Sequence, residues 1–267
     1  MGDFSFRAVE VLRSAAVVLA EDTRHSRTLL DRYDIRTPVA AYHEHNEAKA
    51  TPGLVARLRA GDDLALITDA GTPLLSDPGS RLVTAALEAG FRVSPVPGAS
   101  ALLAALVGAG LDAERFAFFG FLPRKGRERA TTLASVASST VTAVLYEAPG
   151  RVAATLQDLA TLAPGRSACV ARELTKRFEE FRRGTVESLG AYYSETPPRG
   201  EVVIVIAGGA ETTVDEETLV RSARELRARG ASVRDVVAEL TKHGAARNVA
   251  YRIARATDQT AEIGNGK

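Results

Sequence analysis

Asp63-Leu64-Ala65-Leu66-Ile67-Thr68-Asp69-Ala70-Gly71-Thr72-Pro73-Leu74-Leu75-Ser76-Asp77-Pro78-Gly79 is the stretch on which the fold turns. A short apolar run, Asp63–Thr68, passes without a break into a loop built from two glycines, two prolines and small polar residues. The run reads as a buried strand, and the helical spacing of apolar residues over Ser80–Ala89 reads as the helix after it. A strand, a Gly/Pro loop and a helix in that order form a βα unit of a parallel sheet, and open α/β sheets bind ligands beyond the carboxyl ends of their strands. Ser76 or Asp77 is expected to cap the helix.

Outward from this unit the texture repeats. Ala15–Ala20, Pro38–Tyr42 and Phe91–Val96 read as further strands, and Thr23–Tyr33 and Ala48–Ala60 as the helices between them. A helix over Phe4–Ser14 comes first, behind Gly2-Asp3 and with no strand before it. Either the chain starts late or the sheet lacks its first strand. After Gly110 the strand candidates are Phe116–Leu122, Val141–Tyr146, Ser167–Arg172, Phe178–Gly184 and Glu201–Ala207. Helices are read at Arg127–Val136 and Val152–Leu162. This is a second α/β domain with some antiparallel pairing. Beyond the polar stretch Gly208–Asp215, helices at Glu216–Arg229, Val233–Lys242 and Ala246–Ala256 make a helical, helix-turn-helix-like tail. The expected domains are 1–110, 111–207 and 208–267.

Composition narrows the function classes. In 267 residues, 45% hydrophobic content fills a real core, and a formal net charge of +1 excludes a polyelectrolyte binder. One cysteine, Cys169, excludes a disulfide framework and a multi-thiolate zinc site. His43 and His45 lack a third metal ligand at a convincing spacing, so no metal is expected. No apolar run is long enough to cross a membrane, and a cytoplasmic location is expected.

The loop Thr68–Gly79 and a second small-residue loop, Pro97-Gly98-Ala99-Ser100-Ala101, line a crevice with peptide groups. Neither holds a GxGxxG, a GxxxxGK[ST] or a basic anchor, so a main-chain-held ligand with an adenine and a sulfonium fits better than a polyphosphate. Glu21-Asp22-Thr23-Arg24-His25 and His43-Glu44-His45-Asn46-Glu47 face the same crevice, as a site or as helix starts and ion pairs. Basic residues concentrate locally. Arg124, Lys125, Arg127 and Arg129 against Glu128 give +3, and Lys242, Arg247, Arg252 and Arg255 lie within fourteen residues free of acids. With Asn248 and Tyr251 beside them, these are the candidate RNA contacts.

Eight blocks carry a family resemblance: Ala20–Ser26 (AEDTRHS), Tyr42–Glu47 (YHEHNE), Thr68–Gly79, Val96–Ala101 (VPGASA), Gly120–Arg129 (GFLPRKGRER), Leu145–Arg151 (LYEAPGR), Ala171–Glu180 (ARELTKRFEE) and Arg199–Ile206 (RGEVVIVI). Together they resemble the ribosomal RNA small-subunit methyltransferase I group of the tetrapyrrole methylase superfamily. Thr68 stands where that group usually has Ser. The resemblance implies two α/β domains with a cleft between them, S-adenosylmethionine as donor, and 2′-O-methylation of a cytidine in 16S rRNA, usually by a homodimer. It implies donor binding by Asp69, Ala70, Gly71, Thr72 and Pro73, by Pro97–Ala101, and by Tyr146, Glu147 and Ala148. Gly200 and Glu201 either approach the adenosine or simply begin a strand. Candidates for easing loss of the hydroxyl proton are Asp22, His25, His45, Glu173 and Lys176. A tetrapyrrole small-molecule methylase and a non-catalytic RNA-binding assembly factor are the alternative readings.

Overall fold

A computed structural model describes residues 2–209, 216–242, 244–245 and 247–263, with only the backbone described at 247 and 258–263. The chain divides into two compact units after Gly209. The first unit opens with α1 (Phe6–Ser14), capped by the Ser5 hydroxyl, which accepts from the Ala8 N–H at 3.2 Å. Then follow β1 (Val17–Ala20), α2 (Thr23–Arg32), β2 (Val39–Ala41), α3 (Glu47–Arg59), β3 (Leu64–Ile67), α4 (Ser80–Glu88) and α5 (Ala101–Ala109). β1 lies between β2 and β3 and is parallel to both. Val17 and Leu19 pack toward α3 and α4, whereas Val18 packs toward α1 and α2 beneath Leu12 and Leu30. Both faces of the strand are covered, which is why it reads as an unbroken apolar run.

The expected strand Phe91–Val96 does not form. Its residues pair with no strand and are mostly exposed. Pro95, and Pro97 just beyond it, have no N–H to donate, which weakens any ladder there.

The rest of the unit is β4 (Phe116–Phe121), α6 (Gly126–Ser138), β5 (Thr142–Glu147), a 3-10 turn (Pro149–Arg151), α7 (Val152–Leu162), β6 (Ser167–Arg172), β7 (Glu180–Thr185), α8 (Val186–Glu195) and β8 (Val202–Ile206). The five strands run β4-β5-β8-β6-β7, with β4–β5 parallel and the other pairs antiparallel. Alternation splits each strand between two cores. Ala143, Leu145, Val170, Ile204 and Ile206 face Leu156, Leu159 and Leu189 of α7 and α8. Val144, Cys169, Val203 and Val205 face Leu102, Ala105 and Leu106 of α5. Apolar on nearly every side, α5 shows no readable period in the sequence. α8 is equally obscure, because Gly190 and two tyrosines interrupt its pattern.

In the second unit, α9 (Glu216–Ala228), α10 (Val233–Lys242) and α11 (Arg247–Ile263) close on a core that includes Leu219, Val236, Leu240 and Ile253. Among the described residues no helix is long and apolar enough to cross a membrane.

Candidate active-site cleft

The small sheet reverses its order at β1: the chain leaves one way to β2 and returns past β1 to β3. Such a switch point leaves a crevice beyond the carboxyl ends of the strands. Into it run Glu21 and Asp22 after β1, and Thr68 and Asp69 after β3. Side chains tie the loops together. The Thr68 hydroxyl donates to Glu21 Oε2 at 3.3 Å, and the Asp22 N–H donates to Asp69 Oδ1 at 3.3 Å. The Thr72 hydroxyl donates to the Ala99 carbonyl at 3.0 Å, joining this loop to Pro97–Ala101. Ser100 caps α5, its hydroxyl accepting from the Leu103 N–H.

The five-stranded sheet contributes the other charged groups. Lys176 Nζ lies 3.0 Å from Glu173 Oε1 and 3.1 Å from Glu201 Oε2. Glu173 also accepts from the Glu201 N–H at 3.1 Å, so the loops after β6 and before β8 form one bracket. Gly200 turns this corner at φ 80°, where a Cβ would collide with the Glu173 carboxylate. Non-glycine residues rarely adopt positive φ, and strained backbone concentrates at functional sites. Among the described residues, four of the five that do lie around this crevice: Leu74 and Ser76 in the loop after β3, and Glu173 and Thr175 in the loop after β6.

Asp77 is the group the sequence reading missed. The helix cap expected of it falls instead to Gly79, with no side-chain hydrogen bond, and Asp77 is left half-buried among other acids. Burial, and then the neighbouring charges of Glu21, Asp69 and Glu201, push its carboxyl up to about 6, against a hydrogen bond with Thr68. Tyr146, at the end of β5, feels the same charges. Burial raises its phenol first, and Asp77 and Glu201 raise it further. The cleft therefore draws together residues 21, 68, 69, 77, 146 and 201. A second acid in one glycine-rich loop, eight residues after the first, was the available clue.

Several expected site residues have other occupations. Asp22 caps α2 by accepting from the Arg24 and His25 N–H groups, at 2.8 and 3.4 Å, and these bonds with Arg24 and His25 hold its carboxyl below the usual range. Lys176 is held in its charged form: burial works against the charge, yet Glu173 and Glu201 hold the ammonium above the usual lysine range. Glu173 is held low, first by its bond from Lys176. His25 and His45 are exposed, and His45 stands edge-on to His43 at 6.1 Å. Among the described residues no three His, Cys, Asp or Glu side chains converge as metal ligands.

The Glu147 carboxylate turns away from the cleft. It is fully buried and accepts from Arg151 Nε at 2.6 Å, the Thr155 hydroxyl at 2.7 Å and the Ala148 N–H at 2.8 Å. Arg129, an expected RNA contact, is likewise engaged: it donates to Asp158 at 2.8 Å and to Thr155 at 3.1 Å, with its side chain 13% exposed. Arg124, Lys125 and Arg127 are exposed. In the second unit, Lys242 pairs with Glu239 and Arg252 with Glu216, Asn248 is exposed, and Arg255 lies over half-exposed Tyr251. The Arg247 side chain and the turn residue His243 lie outside the described residues.

Residues 1–190 match the Tetrapyrrole (Corrin/Porphyrin) Methylases family. The chain is 48% identical over 234 residues to ribosomal RNA small subunit methyltransferase I of Synechocystis sp., covering 86% of this chain and 84% of that one. To the protein of the same name from Micromonospora olivasterospora it is 43% identical over 99% of its own length and 86% of the other. Among solved structures, uroporphyrin-III C-methyl transferase from Thermus thermophilus, complexed with S-adenosylhomocysteine, superposes with a TM-score of 0.53 at 21% identity, over 76% of this chain and 90% of that one. At that identity the likeness concerns the fold.

Proposed function

From a chain that belongs to the ribosomal RNA small-subunit methyltransferase I family of S-adenosylmethionine-dependent tetrapyrrole methylases, we propose an enzyme that methylates the ribose 2′-hydroxyl of a cytidine in 16S rRNA. The observation that carries the reading is the cleft at the switch point, where peptide-lined loops surround Glu21, Asp69, Asp77 and Glu201. Crowded carboxylates suit a cationic ligand and repel a polyphosphate.

The residues present fit the donor. Asp69–Pro73 and Pro97–Ala101 offer main-chain groups for an adenosine and an amino-acid moiety, Tyr146 offers a flat face, and Glu201 adds negative charge beside Tyr146 and Asp77. When bound, the donor supplies an already activated methyl group, so no metal is needed.

What remains for the protein is positioning and proton management. Holding the hydroxyl in line and excluding water supplies most of the acceleration in such displacements. Of the titratable groups in the cleft, Asp77 is best matched to take the hydroxyl proton. At about 6, its carboxyl is ionised at neutral pH and far more basic than an ordinary aspartate. Positive charge brought into the cleft favours that ionised form. Glu173 and Lys176 brace the loop beside it as positioning residues. Arg124, Lys125 and Arg127, together with basic residues of the helical unit such as Arg255, supply phosphate contacts. The enzyme acts in the cytoplasm as a homodimer, as the family resemblance implies.

The test is methyl transfer from labelled donor to small subunits, naked 16S rRNA and a porphyrinogen. Label is expected in an alkali-stable dinucleotide, the mark of a blocked 2′-hydroxyl, starting at cytidine. Label on a base, or on the macrocycle alone, overturns the reading.

A further inference from the structure

Phe121 is an aromatic ring that the fold goes out of its way to expose. In β4, Phe118 pairs with Val144 but Phe121 pairs with Tyr146, so three residues on β4 span two on β5. This is a β-bulge, and an added residue moves the side chains after it to the opposite face of the sheet. Phe118 packs on the α5 side and Phe119 on the other. Unbroken alternation would send Phe121 after Phe119, into the core beneath α7. The bulge, with Gly120 at φ 61°, returns it to the Phe118 side.

There its ring stands 5.6 Å from Tyr146, which is in turn 4.9 Å from Phe118, and Phe121 stays 55% exposed. The location is the cleft wall. The Ser76 hydroxyl lies 3.0 Å from where a Gly120 Cβ would stand, and Tyr146 feels the charges of Asp77 and Glu201. Exposed Arg124 and Lys125 follow within four residues.

We propose that Phe121 is the platform on which the unstacked base of the acceptor nucleotide lies, with Arg124 and Lys125 holding the adjoining phosphates of a single-stranded RNA. This rests on the RNA reading of the cleft. The chemistry is that of single-strand recognition: an aromatic face for the base and cations for the backbone. A half-buried aromatic partner, Tyr146, itself packed edge-on against Phe118, steadies the platform, and the acid cluster stands where the sugar hydroxyl must react.

The test uses the full-length protein, which contains no tryptophan. F121W therefore places the chain's single tryptophan at the platform, where it can be excited selectively over the six tyrosines. Its emission is expected to be quenched by a cytidine-containing single-stranded RNA and left unmoved by the same sequence as a duplex. F121A is expected to bind that RNA about 5- to 100-fold more weakly. Its kcat/KM for rRNA should fall by a similar factor, with S-adenosylhomocysteine affinity measured by calorimetry unchanged. F121Y should retain activity, and F121L should behave like F121A.

Rescue by leucine as complete as by tyrosine overturns the assignment in favour of plain packing. So does a change of oligomeric state in F121A measured by sedimentation. Emission from F121W that is indifferent to RNA, while labelled RNA still binds by anisotropy, also overturns it. A wild type that binds neither S-adenosylhomocysteine nor RNA overturns the functional reading and this assignment together. A wild type and F121A that methylate rRNA equally overturn this assignment alone.

Discussion

Two carboxylates of the first unit, Glu147 at the end of β5 and Asp77 in the loop after β3, are ringed by opposite company. Glu147 is wholly buried, yet Arg151, Thr155 and the Ala148 N–H meet its oxygens. Asp77 is less buried, and its surroundings are Glu21, Asp69, Glu201 and one threonine hydroxyl. A buried charge with a cation and donors is a structural joint; a carboxylate crowded by like charges is held in readiness for something else. Burial alone thus does not distinguish framework from site. The sign of the neighbours does.

The largest effect expected from breaking this contrast is at the joint. Glu147→Ala strands Arg151 and the Thr155 hydroxyl at the seam between β5 and α7. Removing one partner of a buried pair costs about 3–5 kcal/mol. Because the Arg151 side chain is 26% exposed and can find water, about 3 kcal/mol is the expected loss in urea unfolding. A loss below about 1 kcal/mol would place Glu147 outside the framework.

Asp77→Asn should act in the opposite direction. An acid whose folded value, about 6, lies above its unfolded one favours the fold most while both states are protonated. That contribution fades as pH climbs from about 4 through 6, since the unfolded chain gives up its proton first. The difference of about two units, discounted for partial solvation, makes the asparagine variant about 1–2 kcal/mol more stable than wild type at pH 8, with most of that gain gone at pH 4 and the two converging below it. Methyl transfer should fall about 100-fold or more at pH 8. Unfolding curves at the two pH values, paired with single-turnover rates, check both. A stabilised variant with full activity would remove the proton-accepting role and keep the electrostatics.

This pair also shows what was legible in the amino-acid order. Strands such as β6 and β8 could be read because a sheet covered on both faces demands unbroken apolar runs, and Ser167–Arg172 and Val202–Ile206 supply them. The loop after β3 could be read because glycine and proline mark a turn in place. The state of Asp77 could not, since it arises from residues 21, 69 and 201, which only the folded crevice assembles. Glu147 misled for the same reason: it sits beside Tyr146 in sequence, but successive strand residues face opposite ways, so one looks into the cleft and the other into the helices. The failed strand at Phe91–Val96 shows that an apolar run needs a neighbour able to pair with it.

The contrast between framework and site extends to the arginines, where the expected effect on stability is smallest. Arg129 is 13% exposed and clamps Asp158 and Thr155 across α6 and α7, whereas Arg124, five residues earlier, is exposed beside Lys125. Replacing Arg124 and Lys125 together with alanine should move unfolding by no more than about 0.5 kcal/mol, as surface changes do. If both meet phosphates, RNA affinity should fall and the slope of log K against log salt should flatten by about 1.4, the share of two single-strand contacts. Arg129→Ala should do the reverse, lowering stability by about 1–2 kcal/mol and leaving the salt slope untouched. Equal salt slopes in the double variant and the wild type would show that the exposed pair meets no phosphate, and would confine the RNA contacts to the helical unit.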